Sequence, residues 1–173
     1  MKKTWVLFLA MAIVSFLPSL VAAAVVPLAD AQVEITIPDG WTQDTKDNVV
    51  SIAAPDKTMS VAFFSISGDS DSKAFDVVDK AVEKTVGAVK WEKDGKGVPE
   101  EINGMKGETY EGTAKDGKLQ VECIWLATAP GKNLYIYWFD TVDSEKKYQK
   151  EIDVIVKGLK PLAAKEEKKE EKK

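Results

Sequence analysis

The segment Asn133–Phe139 limits the possible folds of this chain more narrowly than any other. Successive side chains of a strand point to opposite faces of a sheet. Both faces of this segment are apolar: Leu134, Ile136 and Trp138 form one, and Tyr135, Tyr137 and Phe139 form the other. Val61–Phe64 is apolar on both faces in the same way. We therefore predict central strands in a sheet that is covered on both sides.

Further strands are predicted where apolar and polar residues alternate between turn signals. They are Val33–Ile37, Asn48–Ala53, Thr58–Ile66, Lys90–Lys93, Glu100–Ile102, Gly107–Thr113 and Leu119–Ala127. Asp116-Gly117 is a strong hairpin signal, because this dipeptide readily adopts positive φ. Short turns between consecutive strands make the sheet antiparallel.

Two helices are predicted from apolar residues at helical spacing. The first stripe is Phe75, Val78, Val82, Val86 and Val89; the second is Tyr148, Ile152, Ile155 and Leu159, with Ser144 as the predicted N-cap. Two amphipathic helices can cover opposite faces of one sheet. The predicted fold class is α+β: an antiparallel sheet of six or seven strands with helices on both faces, an α/β/α sandwich.

Three short motifs, Val33–Trp41, Ile102–Gly104 and Gly158–Leu162, resemble those of the PsbP/Mog1/DcrB-like superfamily. Val33–Trp41 resembles its opening strand followed by Pro, x, Gly and Trp; Ile102–Gly104 resembles its entry to the long hairpin; and Gly158–Leu162 resembles its closing segment. The resemblance covers residues 33–162. It implies a PsbP/Mog1-like fold and a role in binding or assembly, since members include an extrinsic photosystem subunit, a nuclear-transport cofactor and bacterial envelope proteins. DcrB-like envelope members are typically lipid-anchored.

The N-terminal residues are typical of a secretory signal. Lys2 and Lys3 precede an apolar run, and small residues follow in two A-x-A patterns, one ending at Ala24 and one at Ala31. We expect a signal peptide over residues 1–31, with cleavage after Ala31 preferred and cleavage after Ala24 as the alternative. Residues 32–162 are expected to form the domain, and the product is expected to be exported to the periplasm or the extracellular space.

An uncleaved membrane anchor is the other interpretation of this segment. The apolar stretch from Trp5 to Leu28 is long enough to span a bilayer. Pro18, Pro27 and the two A-x-A patterns favour cleavage instead. A lipid anchor requires a cysteine at the cleavage site, but the single cysteine of the chain is Cys123. We therefore expect no stable membrane anchor after cleavage.

The charge composition argues against nucleic-acid binding. The chain has 24 basic and 28 acidic residues, and removal of residues 1–31 takes away two lysines and one aspartate, which leaves a net charge of −5. Nucleic acids and anionic membranes require clustered positive charge. All basic residues are lysine, so the bidentate clamps that arginine makes with phosphates or carboxylates are absent.

The residue types that serve most hydrolytic and metal chemistry are also scarce. The sequence has no histidine, which is the usual general base and the commonest zinc ligand. Cys123 cannot form an internal disulfide, and it shares a strand face with Val121 and Trp125, which indicates a small buried residue. We expect no enzymatic activity, no catalytic residue, no resident metal and no cofactor.

Carboxylates and two tryptophans are the remaining candidates for a site. Asp69, Asp71, Asp76 and Asp79 could offer oxygen ligands to Ca²⁺, but they lack the spacing of an EF-hand loop. A solvated loop that caps a helix, with acidic residues near the positive end of its dipole, is the favoured explanation of the same residues. Trp41 and Trp91 lie near turns, where an aromatic side chain can contact a partner or ligand or pack at the edge of the core.

The C-terminal residues 163–173 are dominated by lysine and glutamate in a period of four, which places like charges at i and i+4. Such pairs disfavour a helix, so a disordered tail is expected.

The leading functional hypothesis is a non-catalytic exported module that binds a protein partner or a small ligand. The alternative is a carboxylate-based metal-binding protein or a metal-dependent enzyme, and a carrier of apolar ligands is the third hypothesis.

Overall fold

The computed structural model describes residues 23–46, 48–68 and 72–162. The strands in this part of the chain are β1 (Ala24–Leu28), β2 (Val33–Ile37), β3 (Thr42–Lys46), β4 (Val49–Ala53), β5 (Ser60–Ser67), β6 (Lys90–Trp91), β7 (Val98–Ile102), β8 (Met105–Ala114), β9 (Leu119–Ala129), β10 (Lys132–Asp140) and β11 (Lys160–Pro161). Two α-helices accompany them, α1 (Ser72–Val86) and α2 (Val142–Lys157).

The strands form two antiparallel sheets. The main sheet has eight strands in the order β3-β4-β5-β10-β9-β8-β6, with β7 also paired to β8. The small sheet has three strands in the order β1-β2-β11. The prediction of one sheet with six or seven strands was therefore wrong. The Val33–Ile37 strand belongs to the small sheet, and Thr42–Lys46 adds a strand whose five residues are all exposed and which therefore shows no apolar alternation.

The two helices cover opposite faces of the main sheet, as expected. On one face, α2 and the small sheet pack against alternate residues of the central strands, among them Phe63, Leu134 and Ile136. On the other face, α1 packs its stripe of Val78, Val82 and Val86 against the intervening residues, including Cys123, Tyr135 and Tyr137. The two-sided apolar pattern of β10 thus arises from cover on both faces.

The N-cap of helix α2 lies three residues before the predicted one. Thr141 is the cap, and its side-chain oxygen accepts a hydrogen bond from the backbone N–H of Ser144 at 3.3 Å. Ser144 lies inside the first turn. The predicted stripe is confirmed: Tyr148, Ile152 and Ile155 are buried, and Leu159 is buried just beyond the helix end.

The described fold begins upstream of the predicted domain boundary at residue 32. Strand β1 lies within the residues assigned to the signal peptide and pairs with β2 from Ala24↔Ile37 to Leu28↔Val33. Pro27 is therefore a residue of an edge strand, where proline is tolerated because no ladder donor is needed. The place of cleavage itself stays a prediction.

The predicted n- and h-regions and the Lys/Glu tail lie outside the described residues. In the described part of the chain, no helix has the length and the apolar character needed to cross a membrane.

Candidate ligand pocket

A cavity of about 560 Å³, here called the α1 pocket, lies between α1 and the β4–β5 side of the main sheet. It is lined by Asp30, Asn48, Val49, Phe64, Ser65, Ile66, Ser67, Val77, Val78 and Ala81. Strand pairing explains its position. The ladder between β4 and β5 ends at Val49↔Phe64, whereas β5 continues to Ser67. The pocket thus occupies the notch that β4 leaves beside the end of β5.

Helix α1 forms the apolar wall of the notch. Its stripe packs over β9 and β10, with Val78 and Val82 near Val121 and Tyr135 in one cluster. Phe64 pairs with Tyr135 across β5 and β10 and so points to the α1 face. Val77 lies off the stripe and is 68% exposed at the rim of the pocket. The apolar wall of the pocket therefore reaches solvent at Val77.

The polar residues of the pocket lie around the end of β5. The 3-10 turn Ala29–Ala31 brings Asp30 to the pocket, and Asn48 precedes β4. Ser67 Oγ accepts a hydrogen bond from Lys132 Nζ at 2.9 Å. Below them the buried Asn133 donates from Nδ2 to the carbonyl of Gly68 at 2.8 Å and accepts from Trp125 Nε1 at 3.2 Å. These bonds hold the β5 and β10 ends together beside the pocket.

A second, smaller cavity of about 220 Å³ lies on the α2 face of the main sheet and is acidic. Glu111, Glu122 and Glu145 line it, from β8, β9 and α2 respectively. Burial, followed by the charges of Glu145, Glu111 and Asp140, raises the pKa of Glu122 to about 7. Burial, followed by the charge of Glu145, raises the pKa of Asp140 to about 6. The carboxylates of this cavity therefore repel one another when ionised.

The carboxylates that the structure describes do not come together in a metal site. Residues 23–46, 48–68 and 72–162 contain no group of three or more Cys, Asp or Glu side chains placed to hold one ion. Asp69 and Asp71 lie outside the described residues, and Asp76 is exposed on α1. Burial, with the charges of Glu83 and Asp76, raises the pKa of Asp79, and a hydrogen bond from Trp91 opposes that rise.

The two tryptophans named as contact candidates lie on opposite faces of the sheet. Trp41 is only 9% exposed, and its ring meets Tyr148 of α2 edge to face, with centroids 5.6 Å apart. Trp91 is partly buried on the α1 side, and its ring centroid lies 6.5 Å from those of Tyr110 and Tyr137. Neither is among the described lining residues of the α1 pocket. A contact role for them stays a prediction.

Cys123 has the environment that its strand position predicted. It is fully buried between Tyr110 on β8 and Tyr137 on β10. Burial raises the pKa of the thiol, so the thiolate that a nucleophile needs is disfavoured.

Sequence reasoning missed the α1 pocket because it arises between elements. The residues that form its apolar wall were assigned to the core or to a helix. One signal was present: Val77 is apolar but does not fit the stripe of α1, so it has no buried place on the helix. An apolar residue off the stripe can mark a binding surface.

Comparison with known proteins identifies the fold. No family model and no curated protein matches the sequence. The solution structure of the cyanobacterial PsbP protein CyanoP from Synechocystis sp. PCC 6803 is similar, with a TM-score of 0.58 and 13% identity over 86% of this chain and 98% of that one. LpqN, involved in cell envelope biogenesis of Mycobacterium tuberculosis, matches with a TM-score of 0.45 and 15% identity over 73% of this chain and 81% of that one. The likeness to CyanoP shows that the chain has the PsbP-like fold that its opening strand and Pro-x-Gly-Trp motif predicted.

Proposed function

We propose that this chain is an exported, non-catalytic binding module that holds a small ligand in the α1 pocket. The observation that carries the proposal is the pocket at the β4–β5 notch, with its volume of about 560 Å³ and its mainly apolar wall. Ligand sites in proteins typically enclose about 300–1,000 Å³ and combine apolar walls with a few polar groups. The α1 pocket has both properties.

The lining indicates a ligand with an apolar body and a polar end that donates hydrogen bonds. Val49, Phe64, Val77 and Ala81 offer apolar contacts for the body. At the end of β5, the carboxylate of Asp30 can accept hydrogen bonds from the polar end. A neutral or weakly cationic amphiphile fits this arrangement, because an anionic end beside Asp30 would be repelled.

Export is supported by the secretory pattern of the N-terminal residues. The absence of a catalytic role is supported by the residue types of the whole chain, which contains neither histidine nor arginine. Recognition of a protein partner through the exposed apolar rim at Val77 is the competing proposal, and the same experiment separates the two.

The test uses N-phenyl-1-naphthylamine, a neutral fluorescent amine that becomes bright in apolar surroundings. We expect saturable binding to the purified protein and at least tenfold weaker binding to the Val77→Glu variant, because a charge at the apolar rim must be desolvated when the probe enters. Val154→Glu is the matched control: Val154 is also an exposed valine on a helix, but on α2 at the opposite face. It should bind the probe like the wild type.

Equal affinity of the wild type and Val77→Glu would contradict a ligand site in the α1 pocket. Native mass spectrometry of protein recovered from the periplasm provides a second readout, in which a co-purified small amphiphile supports the proposal. A protein captured from periplasmic extract, lost with Val77→Glu while the probe still binds, would instead favour the protein-partner alternative.

A further inference from the structure

Strand β1 lies within residues 1–31, which the secretory pattern assigns to the signal peptide. All five residues of β1 pair with β2. Leu28, at the end of the strand, is 4% exposed, and Ala31 is fully buried in the α2-side core. The second A-x-A pattern, Ala29-Asp30-Ala31, is therefore a structural part of the domain as well as a possible recognition sequence.

The turn that follows β1 is bonded to distant parts of the fold. The carbonyl of Ala31 accepts a hydrogen bond from Thr128 Oγ1 on β9. The backbone N–H of Leu162 donates to the carbonyl of Gln32 at 2.8 Å. Gln32 itself adopts φ 55°, and its side-chain Nε2 donates to the carbonyl of Ala29 at 2.8 Å. The segment 28–32 is thus fixed to β9 and to the end of the described chain.

The two candidate cleavage points have very different consequences for this arrangement. Cleavage after Ala31 would remove β1, the buried side chains of Leu28 and Ala31, and Asp30 from the α1 pocket. It would also leave β2 with a free edge on the β1 side, since β11 is its other neighbour. Cleavage after Ala24 removes one paired residue of β1 and keeps the four pairs from Val25↔Thr36 to Leu28↔Val33.

We propose that the signal peptide is cleaved between Ala24 and Val25, so that the mature protein begins with β1. This inference rests on the export that is part of the proposed function. Ala22 and Ala24 supply the small side chains that a signal peptidase requires at −3 and −1, and a signal of 24 residues lies within the usual length of about 15–30 residues. The step is hydrolysis by that peptidase: one water adds across the Ala24–Val25 amide and leaves a carboxylate on Ala24 and an amine on Val25.

The full chain, expressed in a bacterium with a general secretory pathway, tests the inference by intact mass and N-terminal sequencing of the periplasmic product. We expect the product to begin at Val25. A product beginning at Gln32 would overturn the inference but leave export standing. A product that stays in the cytoplasm and begins at residue 1 or 2 would overturn export and the inference together.

Two substitutions at exposed alanines sharpen the test. Ala24→Phe puts a bulky side chain at the −1 position of the proposed site, and Ala29→Phe puts one at the −3 position of the other site. We expect Ala24→Phe to abolish formation of the Val25 product and Ala29→Phe to leave it unchanged. Blocked processing in Ala29→Phe alone would overturn the inference.

The stability of the two possible products gives a readout independent of the peptidase. Chains 25–173 and 32–173 can be produced without a signal and compared by thermal unfolding. We expect the shorter chain to unfold at a temperature lower by about 10 °C or not to fold, because the buried Leu28 and the β1–β2 ladder are lost. Equal midpoints would remove the structural reason for the earlier cleavage point.

Discussion

At the scale of single residues, Glu122 is a carboxylate whose environment opposes its charge. It lies on β9 with Glu111 opposite on β8, and Glu145 of α2 and Asp140 of β10 also raise its pKa. The pKa of Glu122 rises from 4.5 to about 7 on folding. Below pH 4.5 the carboxyl group of Glu122 is protonated in both the folded and the unfolded protein, and above about pH 7 it is ionised in both. The associated stabilisation is present below pH 4.5 and is lost as the pH rises through about 7.

Glu122→Gln should therefore stabilise the protein at pH 8 and have little effect at pH 5. We expect a gain of about 1–2 kcal/mol in the free energy of unfolding at pH 8, since solvent screening reduces the effect at this part-buried site. Urea unfolding at the two pH values measures the difference. Glu101→Gln, at an exposed carboxylate on β7, is the control and should change stability equally at both. The prediction would be contradicted if the free energy of unfolding fell from pH 5 to pH 8 by the same amount in Glu122→Gln and in the wild type.

At the scale of elements, the start of α2 depends on Thr141. Its side chain accepts from the backbone N–H of Ser144, and its carbonyl accepts from the N–H of Glu145 at 3.0 Å. A threonine N-cap replaced by alanine typically lowers stability by about 1 kcal/mol.

Thr141→Ala should lower the thermal midpoint by about 3 °C, and Thr141→Ser should restore most of that loss because it keeps the hydroxyl acceptor. Differential scanning calorimetry measures both. Ser144→Ala tests the cap that the sequence favoured and should have the smaller effect. A larger loss from Ser144→Ala than from Thr141→Ala would show that Ser144 stabilises the helix start more than Thr141 does.

The elements that could be predicted from sequence were those with a regular apolar period. The β8–β9 hairpin and the stripe of α2 follow directly from alternation and from helical spacing. Strand β3 could not be predicted this way, because its five residues are polar and exposed and owe their conformation to pairing with β4. Strand β1 was concealed by an apolar composition that equally fits a signal peptide.

At the scale of the whole molecule, Asn103 connects the β7–β8 turn to the end of α2. Its Nδ2 donates to the carbonyls of Lys157, at 3.0 Å, and Leu159, residues more than fifty positions away. Asn103 also adopts φ 50°, followed by Gly104 at φ 83°. The motif Ile102-Asn103-Gly104 thus makes a tight turn and binds the carbonyls that the helix end leaves free.

Asn103→Gly isolates the second role, because glycine adopts positive φ readily but cannot donate from a side chain. We expect a loss of about 1–3 kcal/mol in the free energy of unfolding from the two missing hydrogen bonds. Asn103→Asp keeps the shape and removes the amide donor, so it should lose at least as much. Chemical unfolding of both variants measures this, and a loss below about 0.5 kcal/mol in Asn103→Gly would contradict the prediction.

The candidate site was less predictable than the fold, and the reason is geometric. The sequence specifies which residues are apolar, but the α1 pocket exists because β4 begins only at Val49, opposite Phe64, while β5 continues to Ser67. Only the register between the two strands reveals this difference. Trp41 was a reasonable candidate by type, yet its ring is covered by Tyr148. The position of an aromatic residue near a turn does not tell which layer covers it.

The burial of Cys123 has a practical consequence. It is the only thiol in the 173-residue chain, and it lies at the middle of the sheet with no exposed surface. A thiol-specific reagent can modify it only when the sheet opens locally or globally. The thiol is therefore a built-in probe of opening in the unmodified protein. The rate at which a colorimetric disulfide reagent reacts with Cys123 reports how often β9 separates from its neighbours. The same rate shows whether a bound ligand slows that separation.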